Sequence, residues 1–207
     1  MSIDLGRLVL KGKAVTLRPM EAEDAEGLAS ASGESREHYV YNPVPEEISG
    51  AREYVRLALR QRDEGQRYPF TIEWQTRIVG STSYSDFEPW SWQAGSALQR
   101  IDRPDVCEIG YTWLAASAQR TGCNTEAKYL LLSHAFEKWQ VHRVSLRTDV
   151  RNERSRRAIE RLGAMFEGVR RCDKPASDAT VRDSAFYSII AAEWPRISVR
   201  LRELLAR

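Results

Sequence analysis

One polar stretch of the chain could bind an anion through its backbone. It consists of Gln119, Arg120, Thr121, Gly122, Cys123, Asn124 and Thr125. The stretch follows an alternating segment, Glu108–Leu114, that predicts a strand, and it opens into an amphipathic helix. The first N–H groups of a helix lack intrahelical partners, and the helix dipole is positive at that end. We therefore predict a phosphate or pyrophosphate site, although a plain strand–helix connection stays open because one glycine-containing loop is a weak motif.

The cysteines do not indicate a disulfide framework or a zinc site. Cys107, Cys123 and Cys172 are odd in number, widely spaced and without a C-x-x-C motif. Cys123 lies at a predicted helix N-terminus, where the pKa of a thiol can be lowered. We nevertheless favour a packing role for Cys123, and we expect no metal site.

Basic charge in this chain is mostly arginine, and it clusters on one predicted strand–helix unit. The cluster comprises Arg143, Arg147, Arg151, Arg154, Arg156, Arg157 and Arg161. A guanidinium matches the geometry of phosphate, so the cluster could face a phosphorylated ligand. Alternatively, it forms a solvated face together with neighbouring acidic side chains. The net charge of +2 does not suggest a nucleic-acid partner.

Two motifs resemble those of the GNAT superfamily of N-acetyltransferases. The pattern Q-x-x-G-x-N, which begins at Gln119, resembles the loop that grips the pyrophosphate of acetyl-coenzyme A, with Asn124 where the family has glycine or alanine. The pattern N-x-x-S-x-x-x-I-x-x-L-G-A, which begins at Asn152, resembles the second hallmark. The resemblance runs from about Lys11 to Trp194 and is greatest to the ribosomal-protein N-terminal acetyltransferases of the RimJ and RimL type.

The predicted order of elements, β-α-α-β-β-β-α-β-α-β-β, matches the sheet of this family. The resemblance implies an α+β (mixed α/β) fold, with a central twisted, mixed, mostly antiparallel sheet flanked by helices. We expect a single GNAT-like domain over residues 1–207, with a core of about 11–194 and a C-terminal helix of about 195–206. In the family, the fourth and fifth strands splay apart to admit the pantetheine arm.

The same resemblance implies an acetyl-coenzyme A-dependent N-acetyltransferase that uses no metal. The residues from Gln119 to Thr125, together with Asn152, would bind the coenzyme. Glu108 would take the proton of the acceptor amine, directly or through water, and Ser155 would protonate or hydrogen-bond the departing thiolate. The structural alternatives are a strand glutamate, a packed serine and a helix N-cap at Asn152.

Two further regions could border the acceptor. In the family, the segment between the first two helices does so, which gives a binding role to Tyr39, Tyr41 and the neighbouring His38. Trp90 and Trp92 lie in an aperiodic stretch, Asp86–Asp105. They could wall the acceptor pocket or hold the loop to the surface. The acceptor itself would be a protein or peptide N-terminal amine, or a small amine metabolite or antibiotic.

Composition limits the other functional classes. With 42% hydrophobic residues, the chain has the composition of an ordinary globular protein. It contains no apolar run long enough to span a bilayer and no signal-peptide pattern at its start. We therefore expect a cytoplasmic protein without a membrane partner, and a homodimer stays open.

A non-catalytic acyl-coenzyme A-binding module is one alternative function. Aminoacyl transfer from tRNA is another, which the near-neutral net charge disfavours.

Overall fold

An eight-stranded mixed sheet runs through the protein. The computed structural model describes residues 8–99 and 102–206. The strands are β1 (Leu10–Lys11), β2 (Val15–Pro19), β3 (Arg67–Trp74), β4 (Arg77–Glu88), β5 (Val106–Leu114), β6 (Arg143–Asp149), β7 (Met165–Pro175) and β8 (Val181–Ile190). Their order is β1-β2-β3-β4-β5-β6-β8-β7, and every neighbouring pair is antiparallel except β5 and β6. The predicted mixed, mostly antiparallel sheet is thus confirmed.

Helices cover both faces of the sheet. They are α1 (Asp24–Gly33), α2 (Glu47–Asp63), α3 (Cys123–Ser133), α4 (Glu153–Leu162) and α5 (Trp194–Leu205). Tyr54 of α2 hydrogen-bonds Ser81 of β4, whereas the hydroxyl of Tyr84 donates to the carbonyl of Leu131 in α3. Ser81 and Tyr84 point to opposite faces because side chains alternate along a strand. The helices α2 and α3 therefore lie on opposite faces. None of the described helices has the length and apolar character needed to cross a membrane.

The sequence predicts a tight hairpin turn around Gln75–Thr76 and a left-handed helix cap at Gly163, and the backbone confirms both. Gln75 and Thr76 have φ values of 50° and 69°, as a tight hairpin turn requires. Gly163 ends α4 with φ of 98°, a left-handed cap. The apolar pattern after the polar turn predicts one helix over residues 124–139. The structure is less regular: α3 ends at Ser133, and the chain continues as a π-helix over His134–Trp139.

The parallel strands β5 and β6 separate after three residue pairs. They pair from Val106 with Arg143 to Glu108 with Ser145, and both strands then continue without pairing to each other. Beyond this point β5 carries a bulge opposite β4, where Tyr111 has a positive φ of 52°. The divergence implied by the family resemblance is present, and it opens a gap in the middle of the sheet.

Candidate active site

A cavity of about 760 Å³ occupies the gap between β5 and β6. Its walls come from the two diverging strands, the start of α3, one face of α4, the tip of the β7–β8 hairpin and the segment 38–43. Such a gap can hold an extended ligand, with one end at the helix start and the other at the opposite face of the sheet.

The polar turn before α3 lies at one end of the cavity, and hydrogen bonds from its own side chains fix the shape of the turn. Gln119 donates from Nε2 to the carbonyl of Leu114 at 2.7 Å and accepts from Arg154 at 2.7 Å. Thr121 donates from Oγ1 to the carbonyl of Ala118 at 2.7 Å, and the same oxygen accepts from the N–H of Cys123. These bonds hold the turn against the start of α3, whose free N–H groups and positive dipole favour an anion.

The predicted coenzyme-binding residues divide into two groups. Gln119, Arg120, Thr121, Asn124 and Asn152 line the cavity. Gly122 is the exposed N-cap of α3, whereas Cys123 and Thr125 are buried outside the cavity lining.

The possibility of a reactive Cys123 thiolate is not supported. Burial, together with the charge of Glu126, raises the pKa of the Cys123 thiol to about 12. This is the reverse of the lowering that a helix N-terminus can produce. Cys123 therefore packs as a neutral thiol.

Four arginines of the clustered segment line the cavity, and three of them are on α4. Arg154, Arg157 and Arg161 lie three to four residues apart, so they occupy one face of α4, and all three line the cavity. Burial and repulsion from Arg120 lower the pKa of Arg154. The fourth, Arg147, pairs with Glu108 in the cavity, whereas Arg143 pairs with Glu167 outside the cavity lining. The cluster is thus divided: some of its arginines face the cavity, and others pair with acidic side chains outside it. That the first group meets a phosphorylated ligand stays a prediction.

Asn152 and Ser155 lie together at the start of α4. The side-chain oxygen of Asn152 accepts the N–H of Ser155 at 3.0 Å, so the predicted N-cap is confirmed. Both residues line the cavity, and Ser155 is half-buried. The cap does not prevent either side chain from also contacting a ligand.

Glu108 lies at the last paired position before β5 and β6 diverge, and it is 5% exposed. Its Oε2 lies 2.9 Å from Nε of Arg147, which also binds Asp86. Burial raises the pKa of Glu108 to about 7, although the charge of Arg147 opposes the rise. A carboxylate with this pKa can accept a proton near neutral pH.

The side chains of β5 do not alternate regularly between the two faces of the sheet beyond Glu108. A Cβ on Gly110 would lie 2.8 Å from Oε1 of Glu108, so these two residues share a face. The bulge at Tyr111 turns Thr112 to the other face. There its hydroxyl lies 2.8 Å from that of Thr82. Glycine at position 110 therefore leaves the space that the carboxylate occupies.

Lys128 is a cavity residue that the sequence did not single out. It is 5% exposed, and its Nζ donates to Oγ1 of Thr112 at 2.6 Å. Burial lowers the pKa of Lys128 to about 7, while Glu108 acts in the opposite direction. Its position in the sequence could have indicated this role, because Lys128 follows Asn124 by four residues and the two therefore lie on one face of α3.

Tyr39 and Tyr41, which were predicted to border the acceptor, line the cavity, as does His38. The buried Tyr39 donates from its hydroxyl to the carbonyl of Leu114 at 2.8 Å. The guanidinium of Arg151 lies 4.8 Å from the ring centre of Tyr41, and Arg151 also binds Asp178 in the tip of the β7–β8 hairpin. These contacts connect segment 38–43 to the hairpin.

Trp90 and Trp92 are not among the described residues that line the cavity. Trp90 stacks on His142 with 5.3 Å between ring centres, and Trp92 donates to the carboxylate of Asp105 at 3.1 Å. Asp105 and His142 precede β5 and β6, at the ends of these strands opposite the gap. The tryptophans thus anchor their loop, of which residues 100 and 101 lie outside the described part. The loop is also shorter than predicted, because β4 extends to Glu88.

The chain belongs to the GNAT family of acetyltransferases, because the family's acetyltransferase (GNAT) domain matches residues 14–165. A solved structure from T. thermophilus, provisionally described as an acetyltransferase, is 30% identical. The match covers 95% of this chain and 96% of that chain, with a TM-score of 0.80. By family and fold, the protein is a GNAT N-acetyltransferase.

Two further proteins resemble the chain, one in part of its sequence and one in its fold. YdaF of Bacillus subtilis (strain 168), provisionally named a ribosomal N-acetyltransferase, is 37% identical over 97 residues. The match spans 47% of this chain and 51% of YdaF, about half of each. Mycobacterium smegmatis RimJ, solved in complex with CoA-disulfide, shares the fold at 24% identity and a TM-score of 0.73, over 96% of this chain and 93% of that chain.

Proposed function

We propose that the protein transfers an acetyl group from acetyl-coenzyme A to a primary amine, and that its preferred acceptor is a protein N-terminus. One observation carries the proposal. Glu108, with its pKa near 7, lies where β5 and β6 diverge, in the same cavity as the turn that precedes α3. A potential base and a potential anion site are thereby joined by one continuous space.

The coenzyme would occupy the end of the cavity near α3. Its pyrophosphate would accept hydrogen bonds from the backbone of the turn, while Arg120, Arg154, Arg157 and Arg161 would neutralise the phosphate charge. The pantetheine arm would then extend through the gap towards Glu108. RimJ, whose fold is similar, was solved with a coenzyme A derivative, which supports this assignment.

The chemical step is aminolysis of a thioester. The amine nitrogen attacks the thioester carbonyl, a C–N bond forms, and the C–S bond breaks. Glu108 accepts the proton that the amine loses. The hydroxyl of Ser155 stabilises the departing thiolate, which takes one proton from solvent, and Glu108 returns the amine's proton to solvent. Because the thioester is already activated, holding the two reactants in position supplies much of the rate.

The acceptor would enter from the side of Tyr39, Tyr41 and the β7–β8 hairpin. The aromatic side chains of Tyr54, Tyr111 and Trp113 also line the cavity. The name carried by YdaF supports a protein N-terminus over a small amine.

A panel of amines tests the proposal. The protein is incubated with acetyl-coenzyme A and either N-terminal peptides, small amines or no acceptor, and mass spectrometry follows free coenzyme A and acetylated product. We expect release that depends on the acceptor, with peptides the better substrates. Coenzyme binding without transfer to any amine would instead indicate a non-catalytic acyl-coenzyme A-binding module.

A further inference from the structure

Two cations lie directly opposite each other at the acceptor end of the cavity. Lys174 of β7 pairs in register with Arg182 of β8, and both side chains are half-buried and line the cavity. Like charges directly opposite each other on neighbouring strands destabilise a sheet. The hairpin therefore contains an unfavourable pair whose position calls for a function.

A third cation increases the repulsion. Arg147 of β6 pairs in register with Phe186, and Arg182 lies four residues before Phe186 on β8, so both arginines point to the same face. Burial lowers the pKa of Lys174, and the charges of Arg147 and Arg182 lower it further. An anion placed among these groups would relieve both the repulsion and the loss of solvation.

The nearby carboxylates are engaged with other partners. Asp86 binds Arg147, Asp149 binds Arg151, and Asp173 binds Arg170 and the hydroxyl of Ser184. In the described part of the chain, neither Lys174 nor Arg182 forms an ion pair with a carboxylate; Arg182 instead donates to Ser184 at 2.8 Å. Arg147 is already neutralised by Glu108 and Asp86. Of the three cations, Lys174 and Arg182 are thus the two that no described carboxylate pairs with directly.

We propose that Lys174 and Arg182 form an anion subsite of the acceptor pocket, so that the preferred acceptor carries a carboxylate close to its reactive amine. The inference rests on the proposed acetyl transfer. Glu108 acts electrostatically on both cations, so the subsite adjoins the group that would take the amine proton. An amine at Glu108 could then place a carboxylate from the next residue or two between Lys174 and Arg182. The acceptor would be a peptide with an acidic residue just after its N-terminus.

Matched acceptors test the subsite. Two amidated peptides differ only in aspartate or asparagine at the second position, which changes the charge and little else. β-Alanine and its amide make the same comparison for a small amine, so the panel separates an acidic peptide from a free amino acid. We expect kcat/KM to be about tenfold higher for the aspartate peptide, and the preference to weaken as salt rises.

Variants assign the preference to specific residues. In Lys174→Gln and Arg182→Gln, the ratio of kcat/KM for aspartate over asparagine peptide should fall towards one. In Lys174→Glu, a lysine at the second position should become preferred over aspartate. Arg171→Gln is the control, because Arg171 is exposed on β7 and outside the cavity lining, and it should keep the parental ratio. Equal rates with both peptides in the parent protein, or an unchanged ratio in both glutamine variants, would overturn the proposal.

Binding measurements separate this inference from the proposed reaction. If no acceptor is acetylated, the transfer proposal fails, and calorimetry of the same peptides with the coenzyme A-loaded protein decides the subsite alone. Tighter binding of the aspartate peptide, lost in Lys174→Gln, supports the subsite. Equal affinity for the two peptides refutes it. Melting curves show that the variants are folded, and removal of the like charge should leave their Tm equal to or above that of the parent.

Discussion

The carboxylate of Glu108 and the guanidinium of Arg147 form an ion pair across the two diverging strands, with 2.9 Å between Oε2 and Nε. An exposed pair at this distance would keep the pKa of the glutamate low. Here burial outweighs the attraction, and the pKa of Glu108 is raised to about 7. The strand divergence thus places a carboxylate that titrates near neutral pH beside the gap in the sheet.

We expect kcat/KM to rise with pH through about 7 in the parent protein, as Glu108 loses its proton. In Glu108→Gln this rise of kcat/KM around pH 7 should disappear. The rate deficit should be largest just above neutrality and should narrow at higher pH, where solution supplies the amine in its free form. A pH–rate profile of both proteins, with a melting curve beside it, measures the effect. A constant ratio of rates across pH would exclude the role of Glu108 as a base.

Gly110→Ala tests the position of the same carboxylate without changing its chemistry. The new Cβ would lie 2.8 Å from Oε1 of Glu108, so the side chain must shift. We expect turnover to fall while coenzyme affinity measured by calorimetry stays at the parental level. Parental turnover in a folded Gly110→Ala protein would mean that the placement of the carboxylate is unimportant.

Gly122 offers a clean test of the coenzyme loop. Its φ is −68°, and a Cβ there would meet nothing within 4 Å, so a side chain is tolerated. Gly122→Asp places a negative charge at the start of α3, which suits the helix dipole but repels phosphate. We expect coenzyme affinity to weaken by about tenfold or more without a lower Tm.

Gly122→Asn is the matched variant, because it adds nearly the same volume without charge. Calorimetric titration of all three proteins with coenzyme A should place the asparagine variant close to the parent. Identical affinities for the aspartate variant and the parent would remove the loop from the coenzyme site.

Ser155→Ala tests stabilisation of the leaving group. The N–H of Ser155 keeps its bond to Asn152, so the stability cost should be about 1 kcal/mol or less. We expect kcat to fall more than coenzyme affinity does, because the thiolate develops mainly in the transition state. Steady-state kinetics of the parent and of Ser155→Ala measure the effect. Ser177→Ala, which removes another cavity hydroxyl, is the control. An unchanged kcat would leave Ser155 a purely structural role.

Lys128 should reduce stability at neutral and acidic pH. Its pKa is about 7 in the folded protein, against 10.5 for an ordinary lysine, so between these values the unfolded chain holds the extra proton. The free energy of unfolding of the parent therefore rises with pH over this window. Lys128→Met cannot titrate, and the hydroxyls of Thr82 and Thr112 still bond each other. We expect the variant to have the higher Tm at pH 6, by a margin that shrinks towards pH 10.

The exposed Lys138 supplies the control for this experiment, and Lys138→Met should melt like the parent at every pH. Denaturation curves at several pH values measure the difference in stability. A Lys128→Met variant that is less stable than the parent at pH 6 would show that the ammonium contributes more through its hydrogen bonds than it loses by burial.

The sequence determined the features that depend on near neighbours in the chain. The cap at Asn152 and the left-handed Gly163 at the end of α4 follow from backbone chemistry within a few residues. The alternation along Glu108–Leu114 and the polar turn after it likewise predicted a strand that leads into a possible anion site. These patterns predicted the order of the elements, and the resemblance of two motifs to a known family implied the fold class.

Only the tertiary structure decided which side chains meet. The bulge at Tyr111 moves Thr112 to the face of α3 and beside Lys128, and such irregularities follow from long-range strand register, which local patterns do not reveal. The same register places Lys174 opposite Arg182. Trp90, in contrast, is kept away from the cavity by His142, which lies 52 positions further along the chain. A strand pattern gives the spacing of side chains along one strand, but pairing between strands decides which of them share a site.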